Sequence, residues 1–310
     1  MKILTIGFIG LGVMGEPICR NLTRKSNHRI RVYDLDPAPV QRLVQDGAKA
    51  SESAGAAIRG SDIVFVSLPS GQTLVELAYA PGGILDHVHD GQIFVDLGTS
   101  GVKVTRELAA AFSARGVRYL DAPVARTRQA AEAGTLSVMV GGAPDTFEEV
   151  KPLLALVASD ITHCGTVGSG QIAKILNNMV LFQTVAALAE AYAIASHSGF
   201  DAGLIFDTMT KGSGDSFALR NHGAKAIVPQ EFPLRAFSVE YAKKDLSYAL
   251  ELAAEAGVDA AGARRVDRLF DQAIGDGLGA QYFPVISMIV GAGVAGTPDS
   301  HAETINDPKR

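Results

Sequence analysis

Along residues 3–165, short apolar runs alternate with stretches of helical periodicity, and Gly, Pro or Asp punctuates each change. The runs ILTIGFIG, RIRVYDLD, DIVFVSLP, QIFVDLGT, RYLDAPV and TLSVMVGG have the length and β-branched content of buried strands. Helical patterns fall between several of them, at residues 17–24, 40–46, 102–115 and 144–157. Strands that alternate with helices in this way predict a parallel sheet covered on both faces, the doubly wound α/β class.

Past Gly170 the strand signal nearly vanishes. Residues 171–197 read as one long helix, apolar on most faces after its first turn, as expected of a helix buried between domains or subunits. Further helices are predicted at 201–209, 238–256, 260–276 and 284–290, and the polar tail from Thr297 is expected to fray. The pattern predicts a Rossmann-type α/β domain over residues 1–167 and an all-α substrate and oligomerisation domain over 168–310, joined by the long interdomain helix.

Composition narrows the function. A chain of 310 residues with 47% hydrophobic content can bury a substantial core. A net charge of -5 without any block of Lys or Arg gives no footprint for nucleic acid or an anionic membrane, which points to a small soluble partner. Cys19 and Cys164 are the only cysteines, so neither a disulfide framework nor a cysteine-rich zinc site is expected, and a reducing cytoplasm suits the chain. His87 and His89 lie close together in a loop but lack an evident third ligand; they read as surface histidines, and no metal is expected. No segment reads as a membrane span, and the glycines, Glu16 and Pro17 of GFIGLGVMGEPICRNL make a poor export signal.

That same glycine-rich stretch carries the first chemistry. Gly10, Gly12 and Gly15 satisfy GxGxxG between a predicted strand and a predicted helix, with Leu11, Val13 and Met14 completing the loop. The first glycine permits the tight turn, the second lets a pyrophosphate approach, the third lets helix and strand pack, and the helix N-terminus offers free N–H groups. Asp34 lies 19 positions beyond Gly15, at the end of the next strand, where a carboxylate accepts hydrogen bonds from the adenosine ribose. A carboxylate there repels a 2′-phosphate, so NAD is favoured over NADP. The strand ends at Leu68, Pro69 and Ser70 and at Leu97, Gly98 and Thr99 are further candidate contacts; for Thr99 a helix N-cap is an equal alternative.

Two stretches carry candidate reacting groups. In GTVGSGQIAKILNN, Lys174 and Asn178 are four apart and share one helix face, which would project an ammonium and an amide into the interdomain cleft. Burial would lower the lysine pKa and suit it to proton transfer; a lysine snorkelling to solvent is the competing reading. In DAPVARTRQAAEAGTLSVMVGG, a long loop holds Arg126 and Thr127, which could clamp an anionic head group, whereas Arg128 reads as solvated.

Together these stretches resemble the β-hydroxyacid dehydrogenase family, whose members include 3-hydroxyisobutyrate dehydrogenase and tartronate semialdehyde reductase, over roughly residues 5–292. GFIGLGVMG is similar to the family's cofactor loop, and GTVGSGQIAKILNN to its catalytic segment. The resemblance implies that Lys174 transfers the proton, that Asn178 holds the substrate, and that Lys244 of SVEYAKKDLSYAL approaches the nicotinamide while Asp245 is structural. The chain departs from the family where DLGT lacks its usual proline, Val102 standing there, and where the common PVSGG becomes Pro123-Val124-Ala125-Arg126-Thr127. The Arg-Thr pair is similar to the sulfolactaldehyde reductase branch and implies a larger or more strongly charged head group. The sequence is thus read as a cytoplasmic, NAD-dependent enzyme that interconverts a small anionic β-hydroxyacid and its semialdehyde, and the long apolar helix with the mostly α half suits a homodimer or homotetramer. Two alternatives stay open, an imine reductase and a non-catalytic NAD-binding interaction protein.

Overall fold

A computed structural model describes residues 3–234 and 236–292; the tail from Thr297 lies outside them. Strands β1 (Thr5–Ile9), β2 (Arg29–Tyr33), β3 (Lys49–Ala50), β4 (Ile63–Val66), β5 (Ile93–Asp96) and β6 (Arg118–Asp121) are parallel, in the order β3-β2-β1-β4-β5-β6. The strand order reverses between β1 and β4, the switch point at which doubly wound sheets bind ligands. Beyond β6 follow β7 (Val124–Ala125), β8 (Leu136–Gly141) and β9 (Ala158–Gly165); β8 runs antiparallel to β6 and β7, and β9 parallel to β8.

Period-two alternation splits the strand side chains between two cores. Ile6, Phe8, Ile63, Phe65, Ile93 and Val95 face one side, and Ile9, Val64, Val66 and Phe94 the other. The first core is closed by Ile18 and Leu22 of α1 (Gly15–Lys25) and, past α2 (Pro37–Gln45), by residues of a later helix named below. The second is closed by Ile58 of α3 (Ala54–Ile58), Leu74 of α4 (Gly71–Tyr79) and Phe112 of α5 (Val102–Ser113). After the short α6 (Arg128–Ala133), α7 (Pro144–Leu154) adds Phe147, Val150 and Leu153 to the first core. Each such side chain, fully buried, contributes about 1.5–3 kcal/mol. The sheet is therefore fixed from both faces, and its carboxyl-end loops are held in place.

Helices α8 (Ser169–His197), α9 (Ala202–Met209), α10 (Val239–Glu255), α11 (Ala261–Gly275) and α12 (Ile286–Ala292) follow, with a π-helical stretch at Leu219–Ile227. The chain divides into two compact units: one runs to Val180 and includes Lys244–Ala263, the other takes Leu181–Lys243 and continues from Arg264. The second unit has an aromatic core in which Phe182 meets Phe270 and Phe283 edge-on, at centroid separations of 5.5 and 5.2 Å. An α/β Rossmann-type part is thus followed by a helical part.

Several features differ from the sequence reading. The stretch between β7 and β8, expected as a long loop, contains α6: Thr127 caps its start, and Gly134, at φ 73°, ends it. Strand β9 has no counterpart among the predicted strands because three of its eight positions, Ser159, Asp160 and Thr162, are exposed and polar. Helix α8 is not buried throughout: Leu176, Val180 and Ile194 are exposed, and although its length and hydropathy would suffice for a bilayer, its first turns carry Lys174, Asn177 and Asn178. Of the two histidines read as surface groups, His87 is half-buried, and its ring sits where a side chain on Gly55 would be.

Candidate active site

The glycine loop leaves β1 at the switch point. Gly10 has φ 89°, and a Cβ there would lie 2.3 Å from the Ser67 carbonyl oxygen at the end of β4. A Cβ on Gly15 would lie 2.0 Å from the Gly10 oxygen, so only glycine lets α1 start this close to the loop. Gly12 differs from both, since nothing lies within 4 Å of the space its side chain would take. Met14, at the N-cap of α1, brings no side-chain acceptor to the first-turn amides. An open glycine surface and an uncapped helix end fit the pyrophosphate of a dinucleotide. Leu11 is buried under the loop, while Val13 is exposed on it.

Asp34 follows β2, and its carboxylate accepts the Leu11 amide at 2.5 Å and the Asp36 amide at 2.8 Å. It therefore stands at the rim of the glycine loop. No Lys or Arg occurs between Asp34 and Gln41, and the next cation, Arg42, is held bidentately by Glu16 at 2.7 Å to each oxygen. The Arg42 hydrogen bond is the largest influence on Glu16 and keeps its carboxyl below the usual range despite partial burial.

The first unit brings Lys174, Asn178, Lys244 and Asp245 together. Lys174 is 8% exposed, and its Nζ donates to Asn178 Oδ1 at 3.0 Å. Asn178 Nδ2 donates to Asp245 Oδ2 at 2.7 Å, which fixes the orientation of the amide so that its oxygen faces the lysine. Asp245 Oδ1 lies 3.1 Å from Lys244 Nζ. Lys244 donates in turn to the carbonyl oxygens of Pro69 (3.0 Å) and Thr99 (3.3 Å), in the loops after β4 and β5. Burial pushes the Lys174 pKa below the ordinary lysine value, Asp245 opposes that shift, and Lys244 adds to it. The snorkelling reading of Lys174 is thereby replaced by a buried amine, held in one orientation, whose proton is loosened.

The strand-end loops hold their other expected residues in specific ways. Leu68 packs beside Gly10, and Ser70 caps α4 by accepting the Thr73 amide at 3.1 Å. Thr99 is not a helix cap, because the N-cap of α5 is Gly101. Its carbonyl instead receives Lys244.

The substrate-loop residues stand differently from the expectation. Arg126 adopts φ 87°, a conformation rarely taken outside glycine, at the position where the common family pattern has glycine. Its guanidinium donates to Thr135 O, Ser159 Oγ and Asp160 Oδ2, each at 2.7 Å. Arg126 thus braces the edge of β8 and β9 and is not an open clamp for an anion. Thr127 Oγ1 accepts the Ala130 amide at 3.4 Å as the cap of α6, and Arg128 pairs with Glu132.

Sequence reasoning gave no role to three buried polar residues near these loops. Asp96 accepts the Gly98 amide at 2.8 Å and the Tyr119 hydroxyl at 3.2 Å, and burial pushes its carboxyl up to about 7. Asp121 and Gln171 engage the start of α8. Asp96 and Gln171 border glycine-containing loops, whereas Asp121 has no such signal; apart from Gly98, their partners are distant in sequence.

Residues 5–165 match the family model described as the NAD binding domain of 6-phosphogluconate dehydrogenase. Residues 168–286 match that described as NAD-binding of NADP-dependent 3-hydroxyisobutyrate dehydrogenase. A 2-(hydroxymethyl)glutarate dehydrogenase of Eubacterium barkeri is 34% identical over 280 residues, 90% of this chain and 92% of that protein. A 3-hydroxyisobutyrate dehydrogenase of Pseudomonas aeruginosa is 37% identical over 250 residues, 79% of this chain and 84% of that one. The structure of Mycobacterium tuberculosis 3-hydroxyisobutyrate dehydrogenase with L-serine is similar at a TM-score of 0.84 and 30% identity, covering 93% of this chain and 99% of that one.

Proposed function

Since the chain belongs to the β-hydroxyacid dehydrogenase family, an oxidoreductase family acting on CH–OH groups, we propose that it uses NAD in preference to NADP and interconverts a small β-hydroxyacid and its semialdehyde. The observation that carries this reading is the buried Lys174, with its hydrogen bond to Asn178 and the pKa lowered by burial.

Lys174 is the proton-transfer residue. In the oxidation direction the neutral amine takes the hydroxyl proton; in reduction the ammonium returns it to the forming alkoxide. Asn178, oriented by Asp245, holds Lys174 and the substrate oxygen in one geometry, and positioning of this kind supplies much of the acceleration. When bound, the nicotinamide supplies or accepts the hydride. The glycine loop and the first turn of α1 would hold its diphosphate, Asp34 the adenosine ribose, and Lys244 the strand-end loops that flank the nicotinamide.

2-(Hydroxymethyl)glutarate and 3-hydroxyisobutyrate, named in two relatives, and the L-serine named with a third all place a primary alcohol β to a carboxylate. The proposed substrate shares that arrangement, HOCH2–CHX–COO⁻. A sulfonate in place of the carboxylate, the reading that the Arg-Thr pair suggested, gains no support from the geometry, because Arg126 is turned to Thr135, Ser159 and Asp160 and Thr127 caps α6. The test is to follow nicotinamide absorbance with NAD and with NADP against a panel of such hydroxyacids, their semialdehydes and the matching sulfonates. Turnover of a carboxylate with NAD supports the reading; turnover only with NADP, or only with imines or secondary alcohols, refutes it.

A further inference from the structure

The start of the lysine-bearing helix is held in an unusual way. The first amides of an α-helix have no intrahelical acceptor and commonly turn to a Ser, Thr, Asp or Asn just before the helix. In α8 that acceptor comes from a different element. Asp121, the last residue of β6, is fully buried; its Oδ1 accepts the Gly168 amide at 2.8 Å and its Oδ2 the Gln171 amide at 2.9 Å. Each oxygen accepts an N–H group, and these bonds favour the carboxylate form against the burial that raises the Asp121 pKa. The positive end of the helix dipole lies against the same charge.

The glycines of GTVGSGQ make room for this clasp. Gly168 has φ 91°. A Cβ on Gly170 would lie 2.4 Å from Met139 O and 2.9 Å from both the Asp121 carbonyl oxygen and Oδ2. A Cβ on Gly141, in β8, would lie 2.5 Å from Asp121 Oδ1. Gln171, also fully buried, adds a second tie: its Oε1 accepts the Ser100 amide at 3.0 Å, and its Nε2 donates to Gly98 O at 2.9 Å. The helix start is thereby fastened to the ends of both β5 and β6. Lys174 follows Gln171 by three residues and Asn178 by seven.

We propose that Asp121 is a positioning residue of the active site: by clasping the Gly168 and Gln171 amides it sets the rotation and depth at which α8 presents Lys174 and Asn178. The inference rests on the assignment of Lys174 as the proton-transfer group. Its leverage follows from helix geometry, since a one-residue slip turns each side chain by about 100° and moves it about 1.5 Å along the axis. Misplacement of about 1 Å can cost a reaction about a hundredfold in rate.

The test compares wild type, Asp121→Asn and Gly170→Ala, each checked for cooperative thermal unfolding. Asp121→Asn keeps the shape but turns an NH2 group toward one of the two amides. Gly170→Ala leaves the carboxylate in place and crowds the clasp. For both, kcat per folded molecule is expected to fall at least about tenfold, with the calorimetric Kd for NAD changed less than about threefold. The limb of the pH–rate profile that belongs to Lys174 should also move toward the ordinary lysine value as its burial loosens. Wild-type kcat and an unmoved limb in folded Asp121→Asn would overturn the proposal. Should both variants fail to fold, amide exchange in the wild-type chain decides: slow exchange across 168–171 is expected, and rapid exchange there overturns the clasp. If wild type lacks turnover, or Lys174→Ala keeps it, the assignment of function fails, whereas a fault in the clasp alone leaves both of those results intact.

Discussion

Replacing Asp96 by Asn should change how stability depends on pH, by an amount that follows from the carboxyl's surroundings. Asp96 is 2% exposed, and burial raises its pKa from 3.8 to about 7, against the hydrogen bonds from the Gly98 amide and the Tyr119 hydroxyl. The folded value lies above the unfolded one, so the protonated form is favoured by folding. The stability it contributes is full below about pH 4 and is lost as pH rises through about 7. At 1.36 kcal/mol per unit, the wild type should lose about 4 kcal/mol relative to Asp96→Asn between those limits, with no further divergence above pH 8. Asn cannot ionise but has nearly the same shape, so the difference between the two proteins isolates the titration. The chain has no Trp, which makes urea unfolding followed by far-UV circular dichroism, without NAD, the suitable assay from pH 4 to 8. A stability difference that stays constant across that range would refute the reasoning and show that Asp96 is ionised throughout.

Other outcomes follow from the same geometry. Gly15→Ala, whose Cβ would sit 2.0 Å from Gly10 O, should destabilise the fold by about 1–3 kcal/mol and abolish calorimetric NAD binding; binding within about twofold of wild type would contradict the cradle. Asp34→Ala should weaken NAD binding and reduce its advantage over NADP, read as the ratio of the two Kd values; an unchanged ratio would remove Asp34 from cofactor choice. Arg126→Ala loses the contacts with Ser159 and Asp160 yet keeps a strained φ, whereas Arg126→Gly relieves it, so the glycine variant should be the more stable by about 1 kcal/mol in thermal melts. The reverse order would show that the φ of 87° carries no strain.

The parallel sheet and its helices were legible because β4 is apolar throughout, and β1 and β5 are apolar apart from Thr5 and Asp96 at their ends, with nearly every position buried. Strand β9 lacks that signal: Asp160 and Thr162 lie along it, and its exposed positions carry no hydrophobic pattern. The six-residue α6 was equally hidden, since its cap, Thr127, could as well have been a substrate contact. The candidate site shows the same division. Lys174 and Asn178 could be paired from their spacing of four, a local relation. Asp245 is 67 residues from Asn178, and Asp121 is 47 from Gly168, so their roles exist only once β6, α8 and α10 have assembled. Arg126 is the instructive case, because its charge suggested an anion clamp, while the fold turns that charge toward Asp160.

The central claim is that Lys174 transfers the proton. Its most direct test is kcat for Lys174→Ala beside the wild type on a hydroxyacid the wild type oxidises, with the Kd for NAD measured on both proteins. Loss of general acid–base catalysis should lower kcat by about 10²–10⁴-fold with NAD binding preserved. In the wild type, the oxidation rate should rise with pH through a group titrating below the ordinary lysine value, because burial favours the neutral amine that the step requires. Near-wild-type turnover in Lys174→Ala, with that pH dependence intact, would contradict the account.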